Sequence, residues 1–424
     1  MKCHRLGMPD QSSSARRQPN VKARREEVLD EASRLLNANG VSQTTLQDLA
    51  NVLGVTRNAL YYYFRDIEDL IFQVYRRSCE ILAGHLVEAT EGGGSALEVL
   101  QGFVTRCLDP DHPQMAALNE YGLLQPAHHA AILRIYDDVV ARLSRLLEDG
   151  AQSGELRPCH APTVARTVIS LIHWVPLPGG WTAKSDGDRR RVVVALNDLL
   201  AVGWAAQREP ASCLDPIDLS PLLVRASDGF DQDVIAQVKR ETILVMASRM
   251  FTCRGVDATS LDEIAATLGT TKARLYRYVG DKQTLVGACF ARAEKIYDYI
   301  MGQALMQGST AMDHIVALLR ANAMAQQHKE LQPLRYGSAI GALPEIEQVR
   351  AAQRLQARNE QYTELFRAAK FEGSMRDVDL ELLKQVMPGG SAWLWKDFAK
   401  QQSEDFALVA AETTDVLRLG LLAT

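Results

Sequence analysis

The sequence predicts an all-α fold made of two similar units in tandem. Three observations support this prediction: apolar residues recur at helical spacing along most of the chain, no stretch alternates as a strand would, and one segment is repeated further along. A length of 424 residues suits about two to four domains, and an apolar content of 47% is typical of globular proteins. We therefore expect two helical units, each with its own hydrophobic core.

The repeat aligns residues 32–70 with residues 247–285 without a gap. Its identical pairs include Ala32/Ala247, Gly40/Gly255, Thr44/Thr259, Leu46/Leu261, Ala50/Ala265, Leu53/Leu268, Gly54/Gly269, Thr56/Thr271, Leu60/Leu275, Tyr61/Tyr276, Tyr63/Tyr278, Asp66/Asp281 and Leu70/Leu285. Two shorter echoes are Gly154-Glu155-Leu156-Arg157 with Gly373-Ser374-Met375-Arg376, and Pro178-Gly179-Gly180 with Pro388-Gly389-Gly390. Chance does not keep so many matches in register, so we infer that the whole unit was duplicated.

The break between the units falls in residues 207–229, which contain several prolines and no sustained amphipathic period. The predicted domains are a first helix-turn-helix domain at residues 20–78, a first helical body at 79–206, a linker at 207–229, a second helix-turn-helix domain at 230–293 and a second helical body at 294–424.

Residues 44–70 follow the pattern of a helix-turn-helix. Thr45-Leu46-Gln47-Asp48 has the hydroxyl and the acid of a capping box, so a helix is expected to begin there. Gly54 follows where a chain leaving a helix needs a left-handed residue, and Thr56 is expected to cap the next helix. The second copy repeats this order with Ser260-Leu261-Asp262-Glu263, Gly269 and Thr271. Each copy therefore predicts two short helices joined by a tight glycine turn.

The exposed face of the second helix decides whether this motif reads nucleic acid or only packs. The first copy offers Arg57, Asn58, Tyr61, Tyr62 and Arg65, and the second offers Lys272, Arg274, Tyr276, Arg277 and Lys282. Arginine and asparagine match base edges in the major groove, while lysine and hydroxyl groups suit phosphate oxygens. The alternative is a helical hairpin with a solvated basic face, and two copies in register favour DNA binding over it. Because the net charge is −5, any DNA contact must come from such local basic patches.

These residues make the sequence resemble the tetracycline-repressor (TetR) family. The first copy carries the resemblance in residues 44–50, 53–56 and 60–66, and the second in residues 259–261, 264–265, 268–271 and 275–278. In that family a three-helix DNA-binding head precedes a helical body that binds a small ligand and forms a dimer. The resemblance implies a ligand-responsive transcriptional regulator, with repression favoured, whose partners are a double-stranded DNA operator and a small-molecule effector.

The resemblance also implies roles for individual residues in each head. In the first head, the resemblance assigns phosphate contacts to Thr56, Tyr61 and Arg65. It assigns base-facing positions to Arg57, Asn58 and Tyr62. In the second head, it assigns phosphate contacts to Thr271, Tyr276 and Lys282. The base-facing positions there are those of Lys272, Ala273 and Arg277. The capping residues Thr45 and Ser260 complete the candidate DNA-binding set.

The two heads differ from the family pattern in different ways. Ile67 stands where the family usually has a lysine, which removes one phosphate contact from the first head. Val279-Gly280 stands where an aromatic and a basic residue are typical, so we expect a looser third helix in the second head. A basic arm precedes the first head: Arg16, Arg17, Lys22, Arg24 and Arg25. The second head is preceded by Asp228, Asp231 and Asp233. We therefore expect the first head to dominate DNA affinity.

The bodies are harder to interpret from sequence. The candidate ligand-binding residues are Met115, Tyr121, His173 and Trp174 in the first body and Met324, Tyr336 and Trp393 in the second. Ordinary core packing is the favoured alternative for each, because aromatic and methionine stripes mostly fill cores. An apolar effector is expected only from the family resemblance. No histidine spacing suits a metal and no nucleophile has a base partner, so we expect no metal, no cofactor and no enzymatic reaction.

Two modes of assembly remain open. Either one chain is an intramolecular pseudo-dimer that binds two unlike half-sites, or two chains form a homodimer with four heads on a longer palindromic site. The helices expected at residues 161–175, 189–206, 378–387 and 404–422 are apolar enough to build a four-helix interface. A different class of function is a sensor or interaction protein in which only the first head binds DNA and the second unit is structural.

We expect the chain to be cytoplasmic, without a membrane partner. Residues 1–17 are polar and basic and lack the apolar core of a signal peptide. No run reaches the roughly 18 apolar residues that a membrane helix needs. The seven cysteines are scattered and lack a CxxC pair, which is typical of reduced thiols.

Overall fold

A computed structural model describes residues 12–177, 186–208, 214–224, 231–335, 339–395 and 405–423. Within these residues the regular structure is helical, and the only β-type pairing is two isolated bridges. The predicted all-α fold of two tandem units is thus confirmed. No helix in the described part of the chain is both long enough and apolar enough to cross a membrane.

Each unit contributes eight of the helices described. The first unit consists of α1 (Ser12–Asn39), α2 (Leu46–Val52), α3 (Arg57–Leu60), α4 (Ile67–Glu91), α5 (Ala96–Leu108), α6 (Pro126–Gln152), α7 (Ala161–Trp174) and α8 (Asp186–Val202). The second unit consists of α9 (Gln232–Arg254), α10 (Leu261–Thr267), α11 (Lys272–Val279), α12 (Lys282–Ala304), α13 (Ala311–Gln327), α14 (Glu345–Phe371), α15 (Leu380–Ser391) and α16 (Phe406–Leu419). Short 3-10 helices lie at Tyr121–Leu123, Ser220–Leu222 and Ile340–Ala342.

One core runs from the head of the first unit into its body. Leu49 of α2, Phe64 after α3 and Leu70 of α4 are buried in the same cluster as Phe103 of α5 and Leu143 of α6. α4 passes from head to body without a break, and α12 does the same in the second unit. The predicted boundaries at residues 78 and 293 therefore fall inside these two helices, which belong to both head and body.

The two units meet through their last two helices. α7 packs against α15 and α16, and α8, which also packs on α5 of its own unit, contacts α16 more than α15. The core of the first unit includes Val386 of α15 and Val416 and Leu417 of α16, so the second unit completes that core. Four helices, two from each unit, therefore form one bundle within a single chain.

The polar contacts across this bundle are reciprocal. Arg157 of the first unit donates from Nε to the carbonyl oxygen of Gly420 at 2.7 Å. Arg376 of the second unit donates from Nε to the carbonyl oxygen of Gly203 at 2.8 Å. Both arginines belong to the short sequence echo of the two bodies. The same contact made twice in opposite directions indicates a local pseudo-twofold relation between the units.

The backbone at the two glycines explains why no other residue stands there. Gly203 and Gly420 have φ values of +67° and +69°, which side-chain-bearing residues rarely adopt. A Cβ atom on Gly203 would lie 2.2 Å from the carbonyl oxygen of Arg418, and one on Gly420 would lie 2.4 Å from that of Ala201. The two isolated antiparallel bridges beside them are Leu156–Leu422 and Ala205–Met375. The crossing of the two chain segments thus depends on glycine at both positions.

The described part of the predicted linker packs on the second unit. Ile217 and Leu219 are buried in a cluster with Ile296 and Ile300 of α12. Arg208, just before the first gap in the linker, donates from Nε to the carbonyl oxygen of Leu419 at 2.6 Å. These contacts hold the described parts of the linker against helices of the second unit.

Candidate nucleic-acid interface

The first helix of each motif begins as its sequence predicts. The Thr45 hydroxyl accepts from the Asp48 amide at 3.2 Å, while the Thr45 amide donates to the Asp48 carboxylate at 2.9 Å. Ser260 and Glu263 form the equivalent pair at 3.2 Å and 2.8 Å. The hydrogen bonds from Thr45 lower the pKa of Asp48, so the carboxylate stays charged at the positive end of the helix. Both capping boxes are confirmed.

The turn between the two motif helices depends on glycine for its backbone conformation. Gly54 has φ +64° and Gly269 has φ +62°, as expected for a chain that leaves a helix. A Cβ atom at either position would meet nothing within 4 Å. The requirement is therefore conformational and not a matter of space.

The second motif helices differ between the heads. α3 spans four residues, whereas α11 spans eight and ends at Gly280, whose φ is +69°. The expected loosening at Val279-Gly280 is therefore wrong, because Gly280 ends the helix after two regular turns. The prediction that Thr56 caps α3 is also wrong, since its side chain makes no capping hydrogen bond. Thr271 does cap α11, accepting from the Arg274 amide at 3.3 Å.

Buried leucines hold these helices so that their other face points to solvent. Leu60 and Leu275 are buried at equivalent positions. Almost the whole candidate set is exposed: Thr45, Thr56, Arg57, Asn58, Tyr61, Tyr62 and Arg65 in the first head, and Ser260, Thr271, Lys272, Ala273, Tyr276 and Arg277 in the second. Lys282 is half-buried. Tyr62 exposes 75% of its surface, which is unusual for a large aromatic side chain and fits a contact surface.

The first head presents its cations beside aromatic rings. The Arg57 guanidinium lies 5.6 Å from the centre of the Tyr61 ring, a cation–π arrangement that orders both side chains. The Arg65 side chain lies 3.5 Å from the carboxylate of Asp69 and remains largely exposed. This surface combines two arginines, an asparagine and tyrosine hydroxyls within a few residues.

The second head has an acidic residue within its candidate surface. Lys272 Nζ lies 2.7 Å from the carboxylate of Asp262, and this hydrogen bond raises the pKa of Lys272. The equivalent of Asp262 in the first head is the neutral Gln47, which donates to Asn51 at 2.8 Å. Lys282 Nζ donates to the Asp257 carbonyl oxygen at 3.3 Å. Both cations are therefore engaged within the protein, and the negative charge of Asp262 weakens the positive field of the second head toward phosphates.

The described part of the basic arm is also paired. Arg24 lies 2.7 Å from Glu27, and Arg25 lies 3.8 Å from Glu26 and donates to Gln73. The remaining arm residues lie outside the described side chains: Arg16, Arg17 and Lys22.

One arginine in each unit fixes the head to the body. Arg77 of α4 bonds Glu26 and Asp30 of α1 at 2.7 Å each. Arg292 of α12 bonds Glu241 of α9 and the carbonyl oxygen of Glu330, the latter at 2.8 Å. The sequence interpretation missed this pair. Its signal was available, because Glu26 and Arg77 recur at the same offset as the rest of the repeat.

The two heads also touch one another. The Ser42 amide donates to the Glu120 carboxylate at 2.7 Å, and Gln43 donates to Asp257 of the second head. A Cβ atom on Gly255 of the second head would lie 3.0 Å from that same Glu120 carboxylate. Burial raises the pKa of Glu120. The loops after α1 and α9 therefore form a direct junction between the heads.

Two cavities lie near the candidate ligand-binding residues. A small one of about 30 Å³ in the first body is lined by Met115 and His173, among others. A large one of about 870 Å³ lies between the units and is lined by Trp174 and the loop after α1 in the first unit and by many residues of the second. The small cavity has room for little more than water, whereas the large one matches the size of small-molecule sites.

The other candidate ligand-binding residues lie in packed surroundings. Tyr121 is buried and stacks on His129, with ring centres 5.0 Å apart. Trp393 is buried and donates from Nε1 to the Thr167 hydroxyl across the bundle at 3.3 Å. Met324 is partly buried against the same cluster as Trp393, and Tyr336 lies outside the described residues. Of the six candidates that the structure describes, Trp174 is the one that lines the large cavity.

Comparison with known proteins agrees with the two-head architecture. The family described as bacterial regulatory proteins, tetR family, matches residues 28–74 and again residues 243–289. The family described as tetracyclin repressor-like, C-terminal domain, matches residues 97–177. Fold and matches together define a DNA-binding transcriptional regulator. Both heads thus match the tetR family model, one in each of the two tandem units.

Curated relatives match this chain over less than half of its length. The HTH-type transcriptional regulator AcrR of Shigella flexneri is 26% identical over 178 residues, which cover 38% of this chain and 83% of AcrR. The HTH-type transcriptional repressor KstR2 of Mycolicibacterium smegmatis is 24% identical over 172 residues, which cover 37% of this chain and 82% of KstR2. The solved structure of the TetR-family regulator PfmR from Thermus thermophilus is 24% identical, the match covers 41% of this chain and 95% of PfmR, and the TM-score is 0.35.

Proposed function

We propose that this protein is a ligand-responsive transcriptional repressor that binds its operator as an intramolecular pseudo-dimer. Each head reads one half-site, and because the two recognition surfaces differ, the operator consists of two unlike half-sites. The observation that carries the proposal is the reciprocal contact of Arg157 with Gly420 and of Arg376 with Gly203. It supports a single chain that supplies both halves of a dimer.

The alternative homodimer with four heads is disfavoured by the use of the bundle helices. α7, α8, α15 and α16 already bury their apolar faces against each other within one chain. A second chain would have to displace these contacts or use a different surface. We therefore propose one chain per operator.

In this proposal the exposed residues of α3 and α11 enter the major groove. Arg57, Asn58 and Tyr62 face bases in one half-site, and Lys272, Ala273 and Arg277 do so in the other. Phosphates are contacted by Thr56, Tyr61, Arg65, Thr271, Tyr276 and Lys282, and the helix starts at Thr45 and Ser260 lie beside them. The missing cap at Thr56 supports its role, because its hydroxyl is then available to a phosphate oxygen.

A second candidate function has a specific observation in its favour. The Lys272–Asp262 pair reduces the positive field of the second head. If that pair persists near DNA, only the first head binds and the second unit is structural. The relatives named as regulators and a repressor support a role in transcription and not in catalysis.

Selection of binding sites from random duplex DNA, followed by footprinting, tests the proposal. We expect an asymmetric site in which both halves are protected. Arg57→Ala with Tyr61→Phe should remove protection of one half, and Lys272→Ala with Tyr276→Phe should remove the other. Loss with the first pair alone would establish the second candidate function instead, and a palindromic site bound by two chains would contradict the pseudo-dimer.

A further inference from the structure

The two bodies are built from equivalent helices, yet the cavities described beside them differ in volume. The cavity in the first body is about 30 Å³, whereas the one bordered mainly by the second body is about 870 Å³. In the first body α6 packs along α4. In the second body α14 packs on α13, and its contact with α12 is slight. The contact of α14 with α15 is also smaller than that of α6 with α7, so the difference originates in how α14 sits beside α12 and α15.

Residue replacements between α6 and α14 explain this difference. The offset that relates Gly154 to Gly373 also relates α6 to α14. At that offset, three apolar residues of α6 have polar counterparts in α14: Val139 and Arg358, Val140 and Asn359, Leu143 and Tyr362. The three residues of α6 are buried in the core of the first body. Their three counterparts line the large cavity.

An ion pair spans the gap between α14 and α12. The Arg358 guanidinium lies 2.9 Å from the Glu294 carboxylate, and both side chains are almost completely buried. The same guanidinium lies 4.7 Å from the centre of the Tyr297 ring. At the position of Glu294, α4 has the small Cys79. Two long charged side chains thus occupy the place where a thiol and a valine pack in the first body, and they keep the helices apart.

Polar atoms around the cavity lack partners among the described residues. The Thr413 hydroxyl is buried and makes no hydrogen bond. The carbonyl oxygens of the Asn322 and Gln326 side chains, one turn apart on α13, also have no partner. Buried polar groups without partners are costly, so such atoms indicate a wall made to bind something polar. Together they suit a ligand with uncharged hydrogen-bonding groups.

A cation stands between two aromatic rings on the same wall. The Arg335 guanidinium lies 5.4 Å from the ring centre of Trp174 and 4.6 Å from that of Trp395. Burial lowers the pKa of Arg335 to about 10, so a nearby anion would stabilise its charged form. A guanidinium whose faces meet rings binds anions through its edge, where its N–H donors lie.

We propose that this cavity binds one amphipathic organic anion per chain. Arg335 holds the anionic group, the tryptophans contact a flat apolar body, and Asn322, Gln326 and Thr413 contact its polar groups. This inference deepens the proposed function, since it names the chemical class of the effector. It replaces the apolar effector expected from the family resemblance.

The position of the cavity also connects the ligand to the heads. Its lining continues from Arg335 to Gly40, Ser42, Glu120 and Asp257. These last residues belong to or border the junction between the two heads. A ligand that fills the cavity therefore contacts the residues on which the relative position of the heads depends.

The test uses the full chain without DNA and two fluorescent probes that differ in charge. The anionic probe is 8-anilinonaphthalene-1-sulfonate, and the neutral probe is N-phenyl-1-naphthylamine, which has the same rings without the sulfonate. We expect one anionic probe per chain. Arg335→Met should weaken its binding at least about tenfold, and the neutral probe should change by less than about twofold.

Two further variants separate loss of charge from loss of fold. Arg335→Lys keeps a cation and should keep the anionic probe within about threefold. Arg166→Met is the matched control, because the Arg166 guanidinium also lies over a tryptophan, Trp393, at 6.0 Å, but does not line the cavity. Its anionic probe affinity should equal that of the wild type.

The proposal is overturned if Arg335→Met binds the anionic probe as the wild type does, or if both probes weaken equally in Arg335→Met and Arg335→Lys. Two equivalents of anionic probe per chain would also overturn it, since each body would then hold a site. Because no DNA is present, a failure of operator binding leaves these results unchanged.

Discussion

Arg157→Ala should cost much more stability than Arg376→Ala, although the two arginines make equivalent contacts. Arg157 bonds the Gly420 carbonyl oxygen at 2.7 Å and the Glu412 carboxylate at 2.6 Å. Its side chain is 17% exposed and that of Glu412 is 11% exposed, so removal leaves a buried charge and a buried carbonyl group unpaired. Breaking such a pair costs about 3 kcal/mol.

The expected loss is smaller for Arg376, because water can replace it. Its partner carboxylate, Asp198, lies at 2.7 Å but is 49% exposed, and the arginine itself is 31% exposed. We expect Arg376→Ala to cost about 1 to 1.5 kcal/mol, mostly from the lost bond to Gly203. A third variant, Arg142→Ala, removes an exposed pair with Asp138 at 2.8 Å and should cost at most about 0.5 kcal/mol.

Urea unfolding followed by far-ultraviolet circular dichroism measures all three free energies of unfolding. The order expected is Arg157→Ala, then Arg376→Ala, then Arg142→Ala, with similar slopes against urea. If Arg157→Ala were no more destabilising than Arg142→Ala, the crossed contacts would not hold the two units together, and the reasoning would fail.

Three further predictions concern the heads and their junction. Asp262→Asn should release Lys272 and so raise operator affinity several-fold. The slope of log affinity against log salt concentration should steepen by about one unit, as measured by fluorescence anisotropy. Unchanged affinity would show that the pair does not restrain the second head. Gly54→Ala and Gly269→Ala should each cost about 1 to 2 kcal/mol in urea unfolding, because only the positive φ opposes a side chain there, and a much larger cost would reveal a clash. The pKa of Glu120 in the folded protein is raised above its ordinary value of 4.5. The contribution of protonated Glu120 to the free energy of unfolding is therefore complete below pH 4.5, and it is lost as the pH rises through the folded pKa. Because glutamine does not titrate, thermal unfolding of Glu120→Gln should show a smaller loss of stability than that of the wild type as the pH rises above 4.5, and identical profiles would contradict this.

The local features of the heads could be predicted because they depend on neighbouring residues. The capping boxes and the turn glycines are determined by backbone hydrogen bonds and φ angles within a few positions. Thr56 does stand directly before α3, as expected, but its hydroxyl makes no capping hydrogen bond. The greater length of α11 could not be predicted, because a glycine after Val279 is compatible with a loose helix as well as with a clean end.

The large cavity could not be predicted from the sequence for a different reason. Helical spacing does not separate an aromatic residue that fills a core from one that lines a pocket, so Tyr121 and Trp393 looked the same as Trp174. The relevant signal was a comparison of the two bodies with each other. Val139 against Arg358 marks the point where one interior is filled and the other is open.

The central claim is that one chain supplies both of the DNA-binding heads that recognise an operator with two unlike half-sites. Native mass spectrometry of the full chain with a duplex from the binding-site selection tests it most directly. The account predicts a complex of one chain and one duplex, formed from a chain that is monomeric when free. A complex of two chains on one palindromic duplex would contradict it.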